Sequence, residues 1–178
     1  ENAESVMALG FGPWIESQFR KPVGLHQPVL EAMARAGQPV YWDAKMRAWW
    51  ARAIGPSAAD PLRQRVAFAL SEIFVISDRL DVLANQPRGM LNYYDVLVRG
   101  AFGNARDLLR HVALHPCMGA YLSHLKNRKA DPELGTFPDE NFAREIMQLF
   151  SIGLWELNAD GTPRLNEQGK AIPTYDNA

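Results

Sequence analysis

The chain has 178 residues, 47% of them hydrophobic, and a formal net charge of −1 at pH 7. That is enough apolar material for one substantial core, and the near-neutral balance argues against nucleic acid or an anionic membrane surface as a partner. The single cysteine, Cys117, excludes an internal disulfide framework and any cysteine-rich zinc or iron–sulfur site. No uncharged apolar run approaches the ~20 residues that a bilayer span needs, so no integral membrane segment is expected. Residues 1–20 lack the basic-then-apolar order of a signal peptide. Either the protein is cytoplasmic or an export segment was removed before Glu1.

In chain order, helix signals dominate. Residues 2–9 and 12–20 read as short helices punctuated by Gly10 and Gly12, and Lys21-Pro22 stops the second. A third covers 28–36 and ends at Gly37. Residues 41–54 carry Tyr41, Trp42, Met46, Trp49, Trp50 and Ala53 at helical spacing, an aromatic stripe that reads as helix–helix packing, with a stop at Ile54-Gly55-Pro56. Asp60-Pro61 places an N-cap before proline at the first helical position and opens a long helix to about Ser77. Val66, Ala67, Phe68, Ala69, Leu70, Ile73, Phe74, Val75 and Ile76 make it apolar nearly all round, and it is expected to be the central, most buried helix.

A loop with a short turn fills 78–88, and a helix runs from Arg88 to Phe102. Asn104 caps the next, Ala105 to His115, and a further turn or two continues past Pro116 through Tyr121. The segment from Leu125 to Phe137 reads as a loop of about a dozen residues, a length more often functional than incidental. Pro138 to Phe150 forms an amphipathic helix at about 100° per residue, with Glu140, Asn141, Arg144, Glu145 and Gln148 on one arc. After Gly153 the period changes. Leu154 to Leu157 and Ala171 to Tyr175 flank turns at Asn158 to Gly161 and Asn166 to Gly169, which suggests a short C-terminal β-hairpin or meander. The fold class expected is mainly α, an irregular multi-helix bundle around the apolar helix at about 60–77. Residues 1–152 make the helical domain and 153–178 a hairpin extension.

Several side chains suit chemistry. Glu140–Arg144 and Asn141–Glu145 fall at i,i+4, and a guanidinium between carboxylates suits a fixed network or acid/base work, so Glu140, Arg144 and Glu145 are the catalytic candidates. The structural reading, in which the network is half-buried and organises the helices, is the simpler one. Asp107, His111 and His115 recur at i, i+4, i+8 within about 80° of one another and could chelate a divalent metal, with His124 as a further ligand. The simpler reading for these histidines is structural, because they border Leu108 and Val112. Asn158 to Thr162 resembles part of a calcium loop but lacks the repeated acids of one, and reads as a plain Asp-Gly turn. Ser71, Ser77, Ser123 and Ser151 stand in no nucleophile context, and Cys117 has only His115 nearby.

Asp60 to Ser71, Tyr94 to Arg99 with Ala101 to Asn104, His115 to His124, Asn127 to Ala130, Pro138 to Phe150 and Ile152 to Leu154 together resemble the N-terminal portion of bacterial domain-of-unknown-function family number eighteen hundred. The resemblance implies a longer protein that continues after Pro173-Thr174-Tyr175, export to the periplasm or beyond, and a sulfatase-like secreted partner. Many relatives carry Trp-His-x-His-Phe where this chain has Leu70-Ser71-Glu72-Ile73-Phe74, so no role of those histidines transfers. Two functional classes follow. One is an exported helical module that binds a partner or serves structure. The alternative is a metal-assisted hydrolase or oxidoreductase with a His/Asp/Glu site.

Overall fold

The computed structural model describes residues 3–55 and 59–175; Asn2 and Pro56, named above as the edge and the stop of two helices, lie outside them. Ten helices form among the described residues. They are α1 (Ala3–Leu9), α2 (Phe11–Phe19), α3 (Gln27–Arg35), α4 (Ala44–Ala53), α5 (Pro61–Ile73), α6 (Asp81–Ala84), α7 (Pro87–Gly100), α8 (Ala105–Ala113), α9 (Pro116–Tyr121) and α10 (Asn141–Gln148). None is long and apolar enough to cross a membrane. The chain divides into two compact units, Glu1–Tyr121 and Leu122–Ala178.

Helix α7 organises the first unit. It packs against α3, α4, α5, α6, α8 and α9 and buries Leu91, Tyr93, Asp95, Leu97 and Val98. A core of Leu30, Ala44, Ala48 and Leu91 lies where α3, α4 and α7 meet, with Val29, Met33 and Val40 packed against it. The small alanines let α4 approach closely. Asn104 caps α8 as its sequence suggests, its Oδ1 accepting the backbone N–H of Arg106 and Asp107.

The role expected of the helix at 60–77 is not what α5 performs. Its buried residues are Arg63, Gln64 and Ala67, whereas Phe68 and Ile73 are exposed. It also ends at Ile73. The carbonyl of Phe74 accepts the Tyr93 hydroxyl at 2.6 Å, and Val75 and Ile76, stiff at χ1, leave the helix. Burial pushes the Tyr93 phenol far above its usual range, which keeps it a donor.

Two buried carboxylates pin the connector between α2 and α3, which has no ladder to satisfy its backbone. Asp60 sits at the N-cap of α5 but makes no cap hydrogen bond. Its Oδ2 accepts the Gly24 N–H at 2.8 Å and its Oδ1 accepts Gln64 Nε2 at 3.1 Å, while Gln64 Nε2 also donates to the Gly24 carbonyl at 2.9 Å. Asp95, fully buried on α7, accepts the His26 N–H at 2.7 Å and the Gln27 N–H at 2.9 Å, and its Oδ1 lies 3.0 Å from His26 Nδ1. Both pins close contacts far apart in sequence.

The second unit holds α10 and turns. No β-hairpin forms. Among the described residues of 153–175 there are only isolated antiparallel bridges, Trp155 to Pro173, Leu157 to Pro163 and Leu165 to Ala171. Pro163 and Pro173 have no N–H, so two of the three pairings cannot propagate as a ladder. The two turns do form. Asp160 Oδ1 accepts the Thr162 N–H and hydroxyl, and Asn166 Oδ1 accepts the N–H groups of Gln168 and Lys170. The loop after Tyr121 is tied by Asp139, whose carboxylate accepts the Ser123 hydroxyl and the Asn141 N–H, while Asn127 and Asp139 exchange side-chain-to-backbone bonds at 2.7 and 2.8 Å. Ser123 and Lys126 adopt φ of 60° and 66°, a region that non-glycine residues visit only under constraint.

Candidate functional site

The residues suggested by sequence are dispersed. On α10 the expected half-buried network around Arg144 is not made. Glu140 and Arg144 are exposed, and among the described residues no ion pair joins Arg144 to Glu140 or Glu145. Helix α10 buries no whole residue, and Glu140 and Arg144 stay solvated, so their attraction is too weak to hold them together. Glu145 is half-buried, with Oε2 turned inward and without a hydrogen-bond partner among the described residues. His124 stacks on Phe142 with ring centroids 3.7 Å apart.

His115 is engaged within the first unit. Its Nδ1 accepts the Cys117 N–H at 3.1 Å, which leaves Nε2–H to donate to Asn92 Oδ1 at 3.0 Å, and Asn92 Nδ2 donates in turn to Gln27 Oε1 at 2.8 Å. Burial lowers the pKa of His115, favouring the neutral ring that this arrangement needs. Burial also raises the Cys117 thiol, which disfavours a reactive thiolate. Asp107 and His111 are exposed and line one open cleft of about 350 Å³ with Arg99 and Asn104. Among the described residues no three His, Cys, Asp or Glu side chains form a group able to hold a metal ion.

The side chains that do converge are aromatic. Between α4, α5 and α7 lies a groove of about 490 Å³ walled by Trp49, Trp50, Phe68, Phe74, Tyr93 and Tyr94, with Lys45, Ser71 and Glu72 as its polar members. Trp49 is the pivot. Its ring meets Trp50 edge-on at 5.0 Å, Phe68 at 6.0 Å and Tyr94 at 6.2 Å, an arrangement that fixes ring planes and keeps the groove from collapsing. Lys45 is ion-paired with Asp78 at 2.7 Å and donates to the Trp42 carbonyl at 2.6 Å. The outer walls are half open to water, Trp50 at 51% and Phe68 at 49% exposure, and Trp42, Met46, Ile73 and Val75 continue the apolar surface. The stripe read as packing is therefore split. Trp49 faces inward, and Trp50 stands at the mouth.

Over residues 1–177 the chain matches the family described as Protein of unknown function (DUF1800). The chain belongs to this family. No curated protein and no solved structure matches it. The family description assigns no chemistry, so the DUF1800 site has to be read from its side chains. Sequence reasoning passed over the His26–Asp95 pair, which backs the groove wall through the edge-on contact of His26 with Tyr94 at 4.8 Å. The signal was present: Asp95 interrupts the apolar run Tyr93 to Val98 at a position that must face the core, and a buried acid needs a partner.

Proposed function

We propose that this chain is the binding module of an exported bacterial protein and that the groove between α4, α5 and α7 seats an apolar helix or loop of a protein partner. The observation that carries this reading is the groove itself. It is concave, pre-formed and aromatic, and it is continuous with an exposed apolar surface of the kind that marks interaction sites. Tryptophan and tyrosine are the residues that most often dominate binding energy at such surfaces. Resemblance to the family supports the secreted setting and a sulfatase-like protein as the partner.

The test is co-purification of the chain with a secreted sulfatase-like protein, the proposed partner, for the parent and for Trp50→Ala with Phe68→Ala. Both side chains stand at the mouth, so the double variant should fold while its affinity falls by about 100-fold, the loss typical of a pair of aromatic anchors. Undiminished binding by that variant would reject the groove as the docking site.

A second reading rests on the cleft shared by Asp107, His111 and Arg99. Asp107 and His111 supply two ligands, so a divalent metal there would complete its shell with water or substrate, an open site of the kind used in metal-assisted hydrolysis or redox chemistry. Elemental analysis of the purified protein separates the two readings: a stoichiometric metal that is lost in His111→Ala supports the enzyme, and its persistence in that variant removes the site.

A further inference from the structure

A different cleft, of about 460 Å³, opens between the N-terminal turn of α5 and the C-terminal end of α7, lined by Phe19, Arg63, Arg99, Phe102 and Gly103. Two guanidinium groups line it, and the nearby carboxylate of Asp60, buried behind Arg63, offsets only that charge, so Arg99 leaves the lining net positive. Arg63 is only 7% exposed. Burial at that level normally requires the donors of a guanidinium to be met within the protein.

They are not. Arg63 Nε stands 3.6 Å from Asp60 Oδ2, an ion-pair separation too long for a hydrogen bond, and it has no hydrogen-bond partner among the described residues. The Asp60 oxygens are occupied by Gly24 and Gln64. The guanidinium carbon lies 4.4 Å over the Phe102 ring, which holds the group in place without satisfying its N–H donors. Position adds to the imbalance. Arg63 lies in the first turn of α5, the positive end of the helix dipole, where a cation is disfavoured and an anion is welcome. Arg99 stands exposed in the last turn of α7, at the opposite side of the charge pattern, with its fork open to solvent.

The geometry points to a binding site for an oxyanion carried on an aromatic body, an aryl phosphate or aryl carboxylate. The oxyanion would meet the terminal N–H groups of Arg63 and Arg99, each of which can present two donors to a pair of its oxygens. The ring would lie against Phe19 and Phe102, whose own rings meet at 4.7 Å and 62° and leave an apolar wall beside the two cations. This cleft does not involve the aromatic groove, and the inference does not rest on the function proposed for that groove.

Calorimetric titration of the purified chain at low ionic strength with phenyl phosphate, benzoate and inorganic phosphate tests it. Saturable binding is expected for phenyl phosphate or benzoate and weaker binding for inorganic phosphate; whichever organic anion binds tighter identifies the head group. Arg99→Ala, a change at an exposed side chain, should weaken binding about tenfold, as loss of a charge-assisted hydrogen bond does. Arg63→Lys keeps the charge but loses the fork and should also weaken it, Phe102→Leu should bring the organic anions down to the level of inorganic phosphate, and Arg35→Ala on α3 should change nothing. Absence of saturable binding by all three anions at millimolar concentration, or an Arg99→Ala variant that titrates like the parent, would overturn the site.

Discussion

Asp95 is a polar pin among the apolar residues that α7 buries. A fully buried carboxylate is costly to desolvate, and it is kept here because the backbone N–H groups of His26 and Gln27 and the His26 ring all turn to it. Asp95→Ala strands those donors inside the protein and should destabilise by on the order of 3 kcal/mol in a denaturant titration. A cost below about 1 kcal/mol would show that water replaces the carboxylate and that the pin is not structural. His115 gives the matching statement about pH. Its pKa is lowered by burial from 6.5, so the unfolded chain takes up a proton that the folded chain refuses, and stability is full above that value and falls as pH drops below it. Asp78, lowered from 3.8 by Lys45, loses its contribution only at more acid pH, so the two effects occupy separate windows. Melting temperatures between about pH 7 and pH 5 should fall for the parent and flatten for His115→Gln; parallel curves would contradict the assignment. At this scale the cap at Asn104 was legible in the sequence because its partners are two and three residues away. The partners of Asp60 and Asp95 lie 36 and 69 residues away, and no local pattern announces such pairings.

Among the helices, periodicity served where one face decides and failed where tertiary partners do. Helix α7 shows its apolar stripe plainly, whereas the long apolar run at 60–77 was read as the core and is instead a wall, with Phe68 and Ile73 outward and Arg63 and Gln64 inward. Composition counted apolar residues and could not tell which arc faces solvent. The C-terminal turns were legible from Asn, Asp and Gly, but alternation suggested strands, whereas the pairings at Pro163 and Pro173 stop at single bridges. Close approach of the α2–α3 connector to α5 makes a sharp prediction. A Cβ on Gly24 would stand 2.7 Å from Asp60 Oδ1 and 2.9 Å from Arg52 Cδ, so Gly24→Ala should displace the pin and destabilise by about 1–3 kcal/mol. Gly12, in the first turn of α2 with nothing within 4 Å of such an atom, is the control: Gly12→Ala should leave stability unchanged or raise it by up to about 1 kcal/mol. Equal unfolding midpoints for the two variants would contradict this account of the connector.

For the molecule as a whole, the separation between structure and function follows from where polarity is spent. The first unit uses its buried acids and His115 to hold helices in register, and leaves at its surface an aromatic groove with little catalytic chemistry in it. The candidates read from i,i+4 spacing were visible because helical geometry is local; whether they meet anything depends on packing, and Arg144 and Glu140 remain in solvent. The groove was legible only as its stripe of tryptophans. Its second and third walls come from α5 and α7, and nothing in the residue order joins those to α4. The measurement closest to the central claim is oxidative footprinting of the chain alone and mixed with the sulfatase-like protein proposed as its partner, read at single residues by mass spectrometry. Protection of Trp50, Phe68 and Met46, with Met7 on α1 and Phe11 on α2 unchanged, is the expected result. A complex that leaves Trp50 and Phe68 as reactive as in the free chain would contradict it.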